Sequence, residues 1–90
     1  MAKVKVETPT KEQLKSLGVD TWSKWECDVK KFDWEYDEKE MFYVLEGKVN
    51  VVTDEGEKVE FGKGNLVTFS KGVKCKWDVK EKISKVYKFG

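Results

Sequence analysis

A chain of 90 residues can form one domain around a single small core. Its formal net charge is +1 and its basic residues are all Lys, which argues against a nucleic-acid partner because forked recognition of phosphate and guanine relies on Arg. No segment is apolar over a membrane-spanning length or resembles a secretory signal, so we expect a cytoplasmic protein with no membrane partner and with reduced cysteines. Abundant Lys and Glu beside few amides are typical of thermophile proteins.

The first predicted elements are a strand and a helix. Residues 3–6 alternate between Lys and Val, which is typical of a short strand. A short helix over about residues 10–17 follows, because Thr10 and Gln13 match a capping box and Gly18 suits the position after a helix C-terminus. We predict no other helix.

After the helix, apolar residues recur at every second position, which is the period of a strand. Two such sets follow each other, namely Trp25, Cys27 and Val29 and then Phe32, Trp34 and Tyr36. Their parity changes at Lys30–Lys31. A bulge or bend at this point would place both sets on the same side of a sheet.

The remainder of the chain is predicted to form strands joined by turns. Hairpins are predicted at Glu46–Gly47 and around Asp54–Gly56, and residues 62–65 form a loop. Three further strands are predicted at residues 66–70, 73–79 and 83–89. Many strands separated by glycine-containing turns favour an all-β sandwich or barrel, and a barrel leaves no exposed sheet edge in so small a chain.

The segment around residues 34–47 resembles the first motif of the cupin superfamily, G-x5-H-x-H-x3,4-E-x6-G. Glu40 and Gly47 match its E-x6-G half, while Trp34 and Tyr36 fall on its two histidine positions. The leading glycine of the motif falls on Asp28, so this half of the pattern is not matched.

A second segment resembles the other cupin motif, G-x5-P-x-G-x2-H-x3-N. It begins at Gly64, places Gly72 on the second glycine and Cys75 on the histidine, and has Ser70 and Val79 on the proline and asparagine positions. Together the two segments are similar to small stand-alone cupins related to the domain of ureidoglycine aminohydrolase.

The resemblance implies an all-β protein, a small jelly-roll-like cupin β-barrel with one short N-terminal helix, formed as a single domain by residues 1–90. It also implies a homo-oligomer, most simply a dimer. Cupin metal centres use imidazoles and a carboxylate around Fe, Mn, Ni or Zn, but this chain contains no His. At the motif positions only Glu40, Cys75 and Tyr36 could serve as ligands, which falls short of a usual site, so we predict no metal and no other cofactor.

The resemblance also implies that four motif positions converge inside the barrel and form a pocket for a small-molecule ligand: Trp34, Tyr36, Glu40 and Cys75. Phe42 and Trp77 would lie beneath this pocket. The parity of residues 73–79 supports an inward Cys75, because the residues of this set are apolar. Trp34 and Tyr36 could stack on a flat or cationic ligand, and Glu40 could exchange a proton or bind an amine.

Three functions remain open from the sequence. The first is binding of a small organic molecule without a His-based metal centre. The second is an enzyme, a ureidoglycine aminohydrolase-like hydrolase or isomerase, with Glu40 as acid or base, Cys75 as nucleophile, and with or without a metal. The third is an interaction module whose barrel is filled by its own aromatic rings, with Cys75 as a small buried apolar residue and Glu40 solvated at the mouth. The absence of His excludes a Ser-His-Asp or Cys-His mechanism.

Overall fold

The computed structural model describes residues 4–90, and most of these residues lie in β-strands. The elements are β1 (Val4–Glu7), α1 (Lys11–Leu17), β2 (Ser23–Cys27), β3 (Lys31–Glu35), β4 (Glu40–Thr53), β5 (Lys58–Gly62), β6 (Leu66–Phe69) and β7 (Lys74–Phe89), with a 3₁₀ turn at Val19–Thr21. Over this range no helix has the length and hydrophobicity needed to cross a membrane.

The N-terminal prediction is confirmed for the residues that the structure describes. The predicted strand 3–6 appears as β1, with Lys3 lying outside the described residues. The helix begins with a full capping box, since the Gln13 backbone N–H donates to Thr10 Oγ1 at 3.2 Å and the Thr10 backbone N–H donates to Gln13 Oε1 at 2.8 Å. Gly18 ends it in the left-handed conformation, with a φ of 69°.

Two long strands, β4 and β7, organise the sheet by pairing antiparallel along most of their length. The first half of β4 pairs on its other edge with β6, which carries β1, and the second half pairs with β5. The first half of β7 pairs with β3 and its second half with β2. Both long strands therefore run through both halves of the sheet, which curves into the small jelly-roll-like cupin β-barrel that the sequence predicts.

The predicted hairpin at Glu46–Gly47 is wrong, because β4 continues through these residues. The pairing of β4 with β7 shifts register between Val44 and Val49, so the chain bulges here instead of turning back. Gly47 has a φ of 102°, and a Cβ at this position would collide with the Lys82 carbonyl oxygen and lie 2.7 Å from Ile83 Cα. The bulge reverses which residues point inward: Glu40, Phe42 and Val44 before it, and Val49, Val51 and Thr53 after it.

Three other strand predictions are tested by the structure. The chain bends between β2 and β3 close to the predicted point, but Val29 lies in this bend, 63% exposed, and does not share the inward face of Trp25 and Cys27. The hairpin around Asp54–Gly56 is confirmed as the turn between β4 and β5. The separate strands predicted at 73–79 and 83–89 are one continuous strand, β7.

Four aromatic rings form the centre of the core. Phe42, Phe61, Phe69 and Trp77 come from four different strands, and their ring centroids lie 5.3–6.4 Å apart. Each of these residues is buried, so a large apolar area is removed from solvent at the centre of a small protein. The cluster fills part of the barrel and leaves a cavity to one side of Trp77.

Candidate functional site

A cavity of about 240 Å³ opens on one side of the aromatic core. Seven aromatic residues and two charged ones line it: Trp25, Phe32, Trp34, Tyr36, Trp77, Tyr87, Phe89, Glu40 and Lys85. Trp34 is 49% exposed and Phe89 is similarly open to solvent, so these two rings mark the mouth. Apolar walls with a few convergent polar groups are the usual make-up of a small-molecule site.

The two charged residues in this cavity form a buried ion pair. Lys85 Nζ lies 2.8 Å from Glu40 Oε2, and the residues are only 5% and 4% exposed. The ammonium also lies over the faces of several rings, with Nζ 3.9 Å from the Phe42 centroid and 4.9 Å from those of Trp25 and Trp77. The carboxylate and the ring faces together compensate the charge for its loss of water.

The strands account for the position of both side chains. Glu40 is the first residue of β4 and is held between Phe69 on β6 and Phe89 on β7. Lys85 lies on β7 opposite Val44, on the same face as Ile83 and Tyr87 because side chains alternate along a strand. Since that face forms the inner wall, the lysine points into the barrel.

The environment of Lys85 favours its neutral form more than water does. Burial lowers the pKa of Lys85 below its ordinary value, while the carboxylate of Glu40 opposes the shift by stabilising the ammonium. The two groups are within direct hydrogen-bond reach, so a proton can pass between them without an intervening water.

Tyr36 is packed below the mouth of the cavity. Its ring stacks on Phe69 with centroids 4.4 Å apart, and its backbone N–H donates to the Val73 carbonyl at 2.9 Å. Burial raises the pKa of the Tyr36 phenol far above its ordinary value, the charges of Glu40 and Cys75 add to this, and the Trp77 indole opposes it. Neither Tyr36 Oη nor Trp77 Nε1 makes a hydrogen bond of good geometry within residues 4–90, although both atoms are buried.

Cys75 lies opposite Trp34 in the pairing of β7 with β3, yet it does not share the cavity of the other motif positions. It is 7% exposed and borders a separate surface depression with Trp34, Val52 and Asp54 instead of lining the cavity that contains Glu40. Burial raises the pKa of its thiol to about 11, which disfavours the nucleophilic thiolate. The structure thus brings Trp34, Tyr36, Glu40 and Trp77 around one cavity, places Phe42 under Lys85, and leaves Cys75 outside it.

Comparison with known proteins identifies the family. The model of the EutQ-like cupin domain matches residues 14–87. The chain belongs to the EutQ-like cupin family. This confirms the cupin resemblance in the sequence, whereas the finer likeness to the ureidoglycine aminohydrolase domain stays a prediction.

Solved cupin structures resemble this cupin over different shares of their length. A DUF861-family protein from Thermotoga maritima is 50% identical over 97% of this chain and 99% of its own, with a TM-score of 0.96. The source of this relative agrees with the thermophile-type composition of the present chain. The EutQ protein of Clostridium difficile is 30% identical over 71% of this chain and 50% of its own, with a TM-score of 0.65. A cupin-2 domain protein from Shewanella frigidimarina, 17% identical over 100% of this chain and 74% of its own, shares the fold with a TM-score of 0.60. No curated protein matches the chain.

The residues at the cupin motif positions do not fit the family metal centre. Trp34 offers no ligand atom, the raised pKa of Tyr36 disfavours a phenolate, and Cys75 does not face the cavity. The carboxylate of Glu40 is already bonded to an ammonium. No three His, Cys, Asp or Glu side chains between residues 4 and 90 are grouped closely enough to hold one ion.

Lys85 is the charged site residue that the sequence-based prediction did not include, and the cavity-lining rings of Trp25, Phe32, Tyr87 and Phe89 were not included either. The pattern contained a usable signal, because Ile83, Lys85, Tyr87 and Phe89 alternate and Lys85 is the single charged member of an otherwise apolar set. A charged residue inside such a set indicates either a strand end or a functional position. The partner of Lys85 was not predictable in this way, since Glu40 lies 45 positions away.

Proposed function

We propose that this cupin binds a small neutral or anionic organic molecule in the cavity around Glu40 and Lys85. The observation that carries the proposal is the buried Glu40–Lys85 pair on the wall of an aromatic-lined cavity. A buried ion pair is costly to desolvate and adds little to stability compared with apolar residues of the same size. Its presence at a cavity therefore supports a role in recognising a ligand.

The charge of the ligand follows from what the pair already contains. The Lys85 ammonium already contacts the carboxylate and the ring faces that a cationic ligand would need. A lysine ammonium has three N–H donors, and one is directed to Glu40, so a ligand oxygen can accept from another. The free oxygen of Glu40 can accept from a ligand N–H. A carboxylate, an amide or a ureido group meets these requirements.

The aromatic walls set the shape of the rest of the ligand. Trp34 and Phe89 at the mouth and Tyr87 on the wall present flat apolar surfaces next to the charged pair. Planar groups gain both buried area and favourable ring contacts against such walls. The remaining cavity supports ligand binding over the alternative of an interaction module with a filled barrel.

A second candidate function is an enzyme that uses Glu40 as acid or base. The direct hydrogen bond to a lysine with a lowered pKa favours this alternative, because the pair can exchange a proton within the cavity. The hydrolase or isomerase reaction that the sequence left open would act on the same carboxylate, amide or ureido groups. Binding is the simpler proposal since it requires only the contacts described above.

The binding proposal is tested with four aromatic probes of matched size: benzoate, benzamide, phenylurea and benzylamine. We expect the first three to raise the melting temperature and to shift the Trp77 indole signal in NMR spectra, and benzylamine to do neither. At a hundredfold excess over Kd, one bound ligand stabilises the fold by about 2.7 kcal/mol. If no probe raises the melting temperature or shifts an indole signal, the proposal is wrong.

Two lysine variants distinguish binding of benzoate in the cavity from binding at the protein surface. Lys85→Met removes the ammonium and should abolish the effect of benzoate. Lys76→Met changes an exposed lysine on the same strand and should leave it intact. Equal loss in both variants would point to a surface effect of the anion.

The oligomer and the location are also proposals. We infer a cytoplasmic homo-oligomer, most simply a dimer, as expected from the sequence. Light scattering on the purified protein, and fractionation of cells that express it, measure these two properties directly.

A further inference from the structure

We propose that Lys85 captures a small aldehyde as a protonated imine, with Glu40 carrying the protons of the reaction. This inference rests on the proposed function, because the aldehyde would occupy the same cavity. It adds a chemical class of ligand and a covalent bond to a site that otherwise holds its ligand by contacts alone.

Lys85 is set apart from the other lysines by its position. Every other lysine within residues 4–90 is exposed, whereas Lys85 is buried and its side chain lines the cavity. Its Nζ is fixed by Glu40 and by the ring of Phe42, so the nitrogen stays in one place relative to an entering carbonyl group. Imine formation needs an amine that can lose its proton near neutral pH, and burial lowers the pKa of Lys85 in that direction.

The carboxylate of Glu40 is placed to move every proton that the reaction requires. It first takes a proton from the ammonium, and the free amine then attacks the carbonyl carbon, forming the C–N bond as the π electron pair moves to oxygen. The oxygen takes the proton back from Glu40, which next removes a proton from the nitrogen. Glu40 then protonates the hydroxyl, the C–O bond breaks and water leaves. One aldehyde and one lysine ammonium thus give one protonated imine and one water, with the charge unchanged.

The cavity suits the product as well as the reactants. A protonated imine keeps the positive charge and one N–H, so the contact with Glu40 and the interaction with the faces of Phe42 and Trp77 persist. The aldehyde substituent would extend from Nζ toward the aromatic walls at Trp34 and Phe89. A substituent that fills the mouth between these two rings would limit the access of water, which would otherwise hydrolyse the bond.

The test uses benzaldehyde with sodium cyanoborohydride, which reduces an imine to a stable amine. Peptide mapping by mass spectrometry then locates the adduct, whose mass gain is that of the aldehyde less one oxygen atom. We expect Lys85 to be modified first, with an initial rate at least tenfold above that of any exposed lysine. Since the exposed lysines are present in the same sample, they serve as internal controls.

Three further measurements make the result specific. Lys85→Arg keeps a cation beside Glu40 and should lose the preferred adduct, and Glu40→Gln should slow its formation. If the arginine variant does not fold, excess benzoate in the native protein should suppress labelling of Lys85 and leave the exposed lysines unchanged.

Benzyl alcohol separates failure of this inference from failure of the proposed function, because it matches benzaldehyde in shape but forms no imine. If benzyl alcohol or benzoate shifts the Trp77 indole signal while Lys85 is labelled no faster than the exposed lysines, imine capture is wrong and ligand binding stands. If none of the three compounds perturbs the cavity and Lys85 is not labelled, both proposals are wrong.

Discussion

Glu40 and Lys85 form their contact diagonally across two paired strands. The residue opposite Glu40 on β7 is Phe89, and the residue opposite Lys85 on β4 is Val44. The contact therefore depends on the length of the lysine side chain, which reaches along the inner wall and lies over Phe42 on its way. A short cationic side chain at position 85 would leave the carboxylate without a partner.

This relationship predicts strong coupling between the two residues. Glu40→Met and Lys85→Met each leave one buried group unpaired, so we expect each to lower the free energy of unfolding by about 3 kcal/mol. The double variant replaces the pair with two flexible apolar side chains of similar length. We expect its stability to lie within about 1 kcal/mol of the native protein. Urea unfolding of the four proteins measures the cycle.

The pair Asp78–Lys80 is the matched control. Lys80 Nζ lies 2.6 Å from Asp78 Oδ2 on the same strand, but both side chains contact solvent. The corresponding cycle with Asp78→Asn and Lys80→Met should give a coupling energy below about 1 kcal/mol. Equal coupling energies for the two pairs would contradict the expectation that burial strengthens the coupling between Glu40 and Lys85.

The bulge in β4 predicts that Gly47 cannot be replaced. Gly47→Ala combines an unfavourable positive φ with a collision against the backbone of β7, so it should lower the free energy of unfolding by about 3 kcal/mol or more. Gly56→Ala is the control, since its φ of 86° is also positive but a Cβ there meets nothing within 4 Å. It should cost about 1 kcal/mol. Similar losses for both variants would mean that the collision with β7 is relieved without cost.

The buried hydroxyl of Tyr36 predicts a gain in stability when it is removed. Tyr36→Phe removes a buried polar atom that makes no hydrogen bond within the described part of the chain, so the free energy of unfolding should rise by about 1 kcal/mol. Tyr87→Phe, at a less buried cavity position, should leave stability unchanged. A loss of stability in Tyr36→Phe would show that the hydroxyl has a partner.

The thiol of Cys75 predicts a loss of stability at high pH. In the unfolded chain the thiol ionises from about its ordinary pKa of 9.0, whereas in the folded protein its pKa is raised to about 11. Between these values the unfolded state binds fewer protons, so the free energy of unfolding falls as the pH rises. Cys75 contributes at most about 3 kcal/mol to this fall.

Cys75→Val isolates this contribution. The variant lacks the thiol, so its stability should fall less steeply than that of the native protein between pH 9 and pH 11. Lys85, with its lowered pKa, acts in the opposite direction in both proteins, and Tyr36 acts in the same direction as Cys75 in both. Only the difference between the two urea-unfolding series reports on Cys75. Parallel series would rule out a raised thiol pKa.

Much of the fold could be predicted because alternation is a local property. The inward set at residues 73–79 is buried as expected, and the helix caps are present in full. The Glu46–Gly47 segment misled the prediction because glycine at a positive φ serves both hairpin turns and bulges. Only the pairing of β4 with β7 on both sides of Gly47 distinguishes the two, and this information is not local.

The site was less predictable because the residues that form it are distant from one another in the sequence. The cupin resemblance implied that Trp34, Tyr36, Glu40 and Cys75 share one pocket, but Cys75 borders a different depression although its parity is inward. Alternation tells which face of the sheet a residue takes and not which of two neighbouring depressions its side chain borders. Lys85 was missed because lysine side chains usually reach for water, and its buried partner is contributed by a distant strand.

The two long strands that cross both halves of the barrel also determine how the molecule opens. Neither half has a hydrogen-bond network of its own, since β4 and β7 contribute to each. The backbone amides of these strands should therefore exchange with solvent only when the whole chain unfolds, while those of β2 and β3 exchange sooner. Glu40 and Lys85 stand on the two slowly exchanging strands. A ligand consequently meets a rigid ion pair, and the protein can adjust to the shape of the ligand only through the rings around the mouth of the cavity.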